Sequence, residues 1–457
     1  MSTIRCVKIL PLLVSLFAVT GANASVVLTT LASFGGTNGA NPEASLLLGA
    51  DGFLYGTTTG GGTSNLGTVF RISPGGGDLS SLASFSRTNG AFPKAGLIQQ
   101  AGEDPSLFGT TFAGGVSDLG TIFKITTNGT LSTLVSFHGT NGANPQAALA
   151  TGDNGDLYGT TYYGGTNSSP GYGVVFQVTT NSVFTPLISL ANTNGAYPYG
   201  PLRRGADENY YGTSELGGDA GLGSVFKISS AGVLSTIASF YGTNGALPRG
   251  GLIQGADGHF YGTTTSGGTS NQGTVFRVTA SGNLTTLISF VGTNGAAPFA
   301  GMTDGGDGSF YGAAAQGGPN LFGTVFQITT NGVLTTLVAF DSSNGRNPYA
   351  GLVRGSDGSL YGTTANGGAH GLGTVYRISF PAVSLPIVQT LTQAGNSAVL
   401  TWNATVGRNY QVQYKTNLND ITWTDWIATL TATNSTMTLL PNVGPETQRF
   451  YRVGLLP

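Results

Sequence analysis

The residues of this 457-residue chain that could do chemistry are aromatic and charged side chains near prolines that recur every 50 to 53 residues. They are Phe92, Lys94, Tyr197, Tyr199, Arg249, Phe299 and Tyr349, joined by Tyr162, Tyr163 and Glu215 from other loops. Aromatic rings with polar neighbours can stack on sugar rings or anchor a protein partner, so we predict a ligand-binding surface here. The alternative is that these side chains only pack each loop against the next unit.

The sequence gives little support for catalysis. Its three histidines take different positions within their repeats: His138, His259 and His370. They therefore form neither a metal triad nor an acid–base pair. The carboxylates expected near the predicted surface are few: Glu43, Asp118, Glu215 and Asp219. Glycoside hydrolysis needs two carboxylates about 5 to 10 Å apart, and the sequence does not show such a pair. We predict no catalytic residue, no metal and no cofactor, with a polysaccharide-acting hydrolase or lyase as the rival.

A phrase that occurs seven times must position these residues. The consensus of the copies combines an apolar run, a stretch resembling Thr-Asn-Gly-Ala-x-Pro, an Asp-Gly turn, Tyr-Gly-Thr-Thr, a Gly-Gly loop and Gly-Thr-Val-Phe. The Asn residues of the seven copies are Asn38, Asn89, Asn141, Asn194, Asn244, Asn294 and Asn344. A period of this length is typical of radial or stacked repetition of one supersecondary unit.

Each copy contains four short apolar runs of strand length, illustrated by the fifth copy. The runs cover residues 251–253, 260–264, 274–278 and 284–290 and are rich in Val, Ile, Thr, Tyr and Phe. Asp257-Gly258 and Ser281-Gly282 suit tight hairpin turns, because Gly accepts a positive φ. A four-stranded antiparallel meander of about 50 residues is typical of a propeller blade. A β-solenoid is the alternative.

The ends of the array predict a closed ring. The seventh copy stops after its third strand, while residues 26–34 precede the first copy and resemble a fourth strand. A ring that closes exposes no sheet edge. We therefore predict an all-β protein in which residues 25–380 form a seven-bladed β-propeller, with four-stranded antiparallel blades and the N-terminal strand completing the last blade.

The repeated polar phrases suggest binding sites, but structural roles explain them better. A ring of Asn-Gly amides could bind a sugar or an ion, yet both residues also favour left-handed turns. The Asp-Gly pairs lack the alternating carboxylates of a calcium loop. The Gly-Gly loops precede strands, whereas phosphate loops need a helix N-terminus.

Composition and the first residues indicate the compartment. Charged residues make up 8% of the chain and the net charge is -2, which argues against nucleic acid as a partner. Residues 1–24 combine Arg5 and Lys8, an apolar stretch from residue 9 to 19 and Ala22-Asn23-Ala24, which is typical of a signal peptide cleaved before Ser25. Cys6, the single cysteine, lies within this leader. An uncleaved anchor is the alternative, and no later segment is predicted to span a membrane.

The pattern changes near Pro381, and residues 381–457 form a different domain. This tail holds all three tryptophans and has alternating runs such as residues 398–402 and 410–414. It resembles fibronectin type III-like modules, which implies a small C-terminal β-sandwich.

The repeated phrase itself, from Leu-x-Ser-Phe to Gly-Thr-Val-Phe, resembles the GloVer tandem repeat of exported bacterial proteins over residues 26 to about 379. The resemblance implies a secreted or surface propeller-like array without a defined activity, often with a C-terminal sorting anchor. This chain ends in Gly454-Leu455-Leu456-Pro457, so we expect release or non-covalent attachment to the surface. We expect a non-enzymatic binding or adhesion scaffold for a glycan or a cell-surface protein, with a purely structural envelope protein as a further alternative. The sequence predicts no oligomeric state.

Overall fold

The computed structural model describes residues 26–100, 106–152, 154–167, 170–179, 182–380, 386, 388–394, 397–404, 409–417, 422–427, 429–439 and 450–455. The predicted signal peptide lies outside the described residues. Val27–Ser379 form one compact unit, and Phe380–Pro457 belong to another. The described residues contain no helix that is long and apolar enough to cross a membrane.

The unit Val27–Ser379 is built from seven antiparallel sheets among the described residues, six with four strands and one with five. The first strands are Leu47–Leu48, Ile98–Gln99, Ala150–Thr151, Arg203–Arg204, Ile253–Gln254, Thr303–Asp304 and Val353–Arg354. The second strands are Leu54–Thr58, Leu107–Thr111, Leu157–Thr161, Tyr210–Leu216, Phe260–Thr264, Ser309–Ala314 and Leu360–Thr364. The third strands are Thr68–Ile72, Thr121–Ile125, Val174–Val178, Ser224–Ile228, Thr274–Val278, Thr324–Thr329 and Thr374–Ser379. The fourth strands are Ser80–Ser84, Leu131–Ser136, Phe184–Ser189, Leu234–Ser239, Leu284–Ser289, Leu334–Ala339 and, from the N-terminus, Val27–Ser33. Ala196–Pro198 also pairs with Tyr210–Leu216.

The first strands are shorter than the sequence suggests. In the fifth copy the predicted run of residues 251–253 becomes the two-residue strand Ile253–Gln254. The segment before it packs backbone against backbone: a Cβ built on Gly250 would lie 2.6 Å from the carbonyl carbon of Ala300. Neighbouring copies thus approach so closely at this point that little besides Gly or Ala fits, and the pairing of strands begins only beyond it.

Apolar side chains between adjacent sheets form the core. One cluster contains Tyr211 and Val225 from one sheet with Phe260, Phe276 and Val278 from the next. Because the second and third strands are buried on both faces, they read as continuous apolar and Thr-rich runs rather than alternating ones. Each sheet therefore gains most of its stability from its two neighbours.

The predicted ring closure is observed. Val27–Ser33 pairs antiparallel with Thr374–Ser379, with a register shift between Thr30 and Ala32 like those of the other third-to-fourth strand pairs. The N–H of Asn41 donates to the carbonyl of Leu372 at 2.8 Å, as the N–H of Phe92 does to Leu66 between the first and second copies. The interface that joins the two ends is thus built like those between consecutive copies, and the all-β, propeller-like fold class is confirmed.

The described part of the tail contains two small antiparallel sheets. One consists of Val388–Ala394, Ser397–Asn403 and Thr436–Leu439, and the other of Asn409–Lys415, Thr424–Asp425, Leu430–Thr431 and Phe450–Leu455. Both sheets contribute to one cluster around Trp402, Tyr410 and Val412. The fibronectin type III-like assignment of this tail stays a prediction.

Candidate functional site

The residue before each repeated proline has a left-handed backbone. In all seven copies its φ lies between 49° and 58°, although none of these residues is Gly: Asn41, Phe92, Asn144, Tyr197, Leu247, Ala297 and Asn347. Such a conformation is costly for bulky residues. It is stabilised because each N–H donates to a carbonyl of the preceding copy, for example Tyr197 to Tyr172 and Leu247 to Leu222 at 2.8 and 2.9 Å. The proline then packs on a Gly of that same preceding copy, as Pro248 does on Gly223.

The side-chain amides of the repeated Asn residues form hydrogen bonds within their own turns. In every copy the Asn Oδ1 accepts a hydrogen bond from the N–H three residues earlier, at 2.8 to 3.0 Å. Asn244, for example, accepts from Tyr241 at 2.8 Å. These side chains hold the loop in shape, so they do not form a ring of ligands.

The residue after each proline lines a cavity of about 390 Å³ that is shared by all seven copies. The seven side chains at this position are Glu43, Lys94, Gln146, Tyr199, Arg249, Phe299 and Tyr349. Five of them were predicted from the sequence as site residues. Glu43 was noticed only as a carboxylate, and Gln146 was missed, although both occupy the same post-proline position as the others. Most of the remaining lining consists of small residues such as Ala147, Gly200 and Ala300.

The cavity wall has a polar arc and an aromatic arc. Glu43, Lys94 and Gln146, from the first three copies, form the polar arc. Burial raises the pKa of the Glu43 carboxyl, and the nearby Lys94 ammonium partly offsets this by lowering it. Lys94 also lies over the ring of Phe112, with its Nζ 4.3 Å from the ring centroid. The polar arc therefore places a carboxyl with a raised pKa beside a fixed cation.

The aromatic arc consists of Tyr199, Phe299 and Tyr349 around Arg249. The Arg249 guanidinium lies 4.8 Å from the Phe299 ring centroid and 5.4 Å from that of Tyr199. Phe299 meets Tyr349 edge to face at 4.9 Å. Burial raises the pKa of Tyr199 to about 12 and also raises that of Tyr349. Both phenols thus keep their protons at neutral pH and can donate hydrogen bonds into the cavity.

Glu215 fixes Arg249 rather than facing the cavity. Its side chain is 8% exposed, and its Oε1 accepts from Nη2 and Nε of Arg249 at 2.6 and 3.1 Å. Its other oxygen accepts from the hydroxyl of Tyr162 at 2.9 Å. Both carboxylate oxygens are therefore engaged, and burial together with Glu215 raises the pKa of Tyr162. We assign Glu215 as a positioning residue for the cation in the cavity wall.

Three further predicted residues form a cluster beside the cavity. The rings of Tyr162 and Tyr197 stack at 5.2 Å, and Tyr163 meets both edge to face, at 4.7 and 5.4 Å. Tyr162 also lies 6.1 Å from Tyr199, which lines the cavity. Two predicted site residues, Phe92 and Glu215, belong neither to this cluster nor to the cavity lining.

The Asp carboxylates of four Asp-Gly turns, at Asp51, Asp257, Asp307 and Asp357, are hydrogen-bonded to the strand that follows each turn. In these four turns and at Asp207-Glu208, the Asp Oδ2 accepts a hydrogen bond from the Tyr hydroxyl four residues later, at 2.5 to 3.0 Å. Tyr261 with Asp257 and Tyr361 with Asp357 are two examples. Among the described residues, no group of three His, Cys, Asp or Glu side chains could hold a metal ion.

Several solved structures of similar fold are those of enzymes. They include a gluconolactonase from Xanthomonas campestris (14% identity, 61% of this chain and 83% of that chain, TM-score 0.38). A proposed 6-phosphogluconolactonase from Bacteroides uniformis aligns with 15% identity over 85% of this chain and 98% of its own, with a TM-score of 0.47. A GH93 α-L-arabinofuranosidase of Fusarium graminearum, solved with arabinobiose, aligns with 13% identity over 76% and 98%, with a TM-score of 0.39. No curated protein matches the sequence.

The expectation of a non-enzymatic binding or adhesion scaffold is wrong on this comparison. It rested on reading the repeat array as a scaffold without chemistry, whereas the similar structures are those of lactonases and a glycosidase. The likeness is one of fold and assigns no reaction to this chain. The chemistry has to be argued from the cavity.

A sequence comparison assigns the family. The pattern of the Gloeobacter/Verrucomicrobia repeat matches residues 15–104, 100–256 and 248–416. These matches together span most of the chain and include every residue of the cavity and of the neighbouring tyrosine cluster. The resemblance found in the repeated phrase is therefore confirmed, and the chain belongs to the Gloeobacter/Verrucomicrobia repeat family.

Proposed function

We propose that this protein is an exported enzyme that cleaves an acidic polysaccharide by elimination, with the cavity as its active site. The supporting observation is the composition of the cavity wall: one carboxyl, two cations and two protonated phenols, all on post-proline positions. The aromatic arc suits the face of a sugar ring, and Lys94 and Gln146 suit its hydroxyls and charged groups.

Elimination fits these groups better than hydrolysis with two carboxylates. Among the described residues that line the cavity, Glu43 is the one carboxylate, and the oxygens of Glu215 are already bound. In an elimination, Glu43 takes the proton from the carbon next to the substrate carboxylate, the C–O bond to the leaving sugar breaks, and a C=C bond forms. A raised pKa makes Glu43 a better base near neutral pH. The leaving oxygen receives a proton from the hydroxyl of Tyr199 or Tyr349.

Arg249 and Lys94 supply the positive charge that this reaction needs. Removing a proton next to a carboxylate places extra negative charge on that carboxylate, and fixed cations stabilise it most where they need not reorganise. Arg249 is held by two hydrogen bonds to Glu215, and Lys94 is held over Phe112. Both cations are therefore in place before the substrate arrives.

The test is to incubate the purified protein with pectate, alginate and hyaluronan and to follow two products. Elimination gives unsaturated sugars that absorb in the ultraviolet, whereas hydrolysis gives only new reducing ends. We expect ultraviolet absorbance to rise with at least one polymer and Glu43→Gln to lower kcat/KM about 100-fold or more. Reducing ends without unsaturated product would contradict elimination, and neither product from any acidic polymer would contradict the proposed function.

The export of the enzyme and the role of the tail are further parts of this proposal. Residues 1–24 have the composition of a secretory signal, so we expect the enzyme to be released or to attach to the cell surface. Mass spectrometry of the protein from the producing cells should find Ser25 at the N-terminus. The tail would then be an exported fibronectin type III-like module.

A further inference from the structure

Among the described residues, the tyrosine cluster beside the cavity occurs at one interface between copies. Tyr162, Tyr163 and Tyr172 belong to the third copy and Tyr197 to the fourth, and each is partly exposed. Tyr197 contacts the other three rings at centroid distances of 5.2, 5.4 and 5.8 Å. Tyr172 also packs on the hydrophobic core, so Tyr162, Tyr163 and Tyr197 are the rings that remain for another function.

Equivalent positions elsewhere show that the fold does not need these rings. At the next interface the four positions are Glu215, Leu216, Leu222 and Leu247, and at the closing interface they are Ala365, Asn366, Leu372 and Asn41. The left-handed φ at the position of Tyr197 and its backbone hydrogen bond to the preceding copy recur at both of these interfaces. Because Leu, Asn, Ala and Glu occupy these positions at other interfaces, packing alone does not explain three partly exposed tyrosines at one interface.

The cluster continues the aromatic arc of the cavity outward. Tyr162 is the link: its ring lies 6.1 Å from Tyr199 in the cavity wall, and its hydroxyl binds the carboxylate that holds Arg249. A polymer with one sugar in the cavity would place a neighbouring sugar along this path. Phenol rings with exposed faces and hydroxyls bind sugars by stacking and hydrogen bonding at low entropic cost.

From this arrangement we infer that Tyr162, Tyr163 and Tyr197 form a second sugar subsite, which stacks on a residue of the same polysaccharide chain that enters the cavity. This inference rests on the proposed function, since it takes the polymer to be the substrate. The subsite would explain how a cavity of about 390 Å³, which accommodates only a short stretch of sugar chain, selects a polymer.

The test replaces the rings with residues from other copies at the same positions. Tyr163→Ala introduces the residue found at Ala113, and Tyr197→Asn introduces the residue found at Asn41, Asn144 and Asn347. The matched control is Leu216→Ala with Leu247→Asn at the next interface. Both double variants should keep the wild-type fold, checked by thermal unfolding, because the substituted residues already occur in this backbone.

The readout is retardation in native gels that contain pectate, alginate or hyaluronan, which measures affinity without turnover. We expect at least one polymer to retard the wild type, the Tyr163→Ala/Tyr197→Asn variant to bind about tenfold more weakly, and the leucine control to bind like wild type. A thermal midpoint that falls while retardation is unchanged would overturn the subsite and identify a packing role. Absence of retardation of the wild type by every polymer would also overturn it.

The two proposals fail differently in these experiments. If unsaturated product forms but retardation does not depend on the tyrosines, the proposed function is supported and the subsite is overturned. Tyrosine-dependent retardation without any product would support the subsite as a sugar site and contradict the proposed reaction.

Discussion

Two positions in the same loop, two residues apart, behave in opposite ways. The residue before each repeated proline binds the preceding copy through its N–H in all seven copies, whatever its side chain. The residue after the proline differs in type in almost every copy, and it faces a cavity shared by all of them. Backbone hydrogen bonds and proline packing thus hold the ring together. The post-proline side chains are not needed for these contacts between copies. Stability and chemistry are therefore separated within three residues of sequence.

The largest effect is expected for a substitution at the contact between the repeated proline and the glycine of the preceding copy. Gly223→Ala would place a Cβ 2.5 Å from Cδ of Pro248 at a residue whose φ is 104°. We expect the free energy of unfolding to fall by about 3 kcal/mol, from backbone strain and overpacking together. Chemical denaturation would measure it.

Gly221→Ala in the same loop is the matched control. Its φ is 71°, but nothing lies within 4 Å of the new Cβ, so backbone strain acts alone and the loss should be about 1 kcal/mol. Equal losses for the two variants would mean that the contact between proline and glycine does not hold neighbouring copies together.

The second test concerns the support of the cavity wall. Glu215→Gln leaves the guanidinium of Arg249, which is 26% exposed, without its carboxylate. We expect unfolding to become easier by about 2 kcal/mol, because a partly buried cation loses its counter-ion. Thermal or chemical unfolding would measure this loss.

Glu208→Gln is the comparison for this variant. Its carboxylate is 82% exposed and lies 4.0 Å from Arg204, so its replacement should change stability by only a few tenths of a kcal/mol. If both substitutions were equally mild, Glu215 would have no positioning role.

A smaller effect is expected within the core, where the seventh copy departs from the others. Tyr376 is fully buried and its hydroxyl has no hydrogen-bond partner within the described residues, whereas the other six copies have Phe at this position. Tyr376→Phe should stabilise the protein by about 1 kcal/mol, because an unsatisfied buried hydroxyl is removed. The reciprocal Phe326→Tyr should destabilise it, and a loss of stability in Tyr376→Phe would show that the hydroxyl is satisfied.

The smallest effect is expected for the pH dependence of stability that Glu43 in the cavity wall contributes. Burial raises the pKa of Glu43, so the folded state holds this proton more tightly than the unfolded state. Stability is therefore unaffected below the unfolded pKa and falls as pH rises through the window up to the folded pKa. Glu43→Gln should match wild type in acid and be slightly more stable at neutral pH. Thermal midpoints across pH would show this, and a difference largest in acid would contradict the assigned shift.

Much of the fold could be predicted because its determinants are local and recur. The Gly of each tight turn, the Tyr-Gly-Thr-Thr strand and the fixed period identify four strands per copy. The incomplete seventh copy and residues 26–34 together predict the pairing with Thr374–Ser379. The lengths of the first strands could not be predicted, because the close approach of Gly250 to Ala300 involves two different copies.

The candidate site was predicted less well, for a physical reason that Gln146 and Glu43 illustrate. The sequence pattern selected aromatic and cationic residues near the prolines. It did not select Gln146, and it indicated Glu43 only as one of the few carboxylates near the predicted surface. Their importance comes from the cavity they share with Tyr199 and Arg249, and no property of Gln146 itself indicates it. Phe92, by contrast, has the right chemistry at the pre-proline position, which does not face the cavity.

Short-range backbone preferences and hydrophobic patterns specify the repeating unit, its turns and the way the two ends of the array meet, so these features follow from the amino-acid sequence. The folded ring determines which side chains share a site, because the seven wall residues are separated by at least fifty positions and meet through closure of the ring. It also decided that Glu215 binds Arg249 and Tyr162, and that three tyrosines from two copies lie beside the cavity. Contacts between nonrepeating side chains depend on the packing of one copy against the next, and a pattern within a single copy does not contain that information.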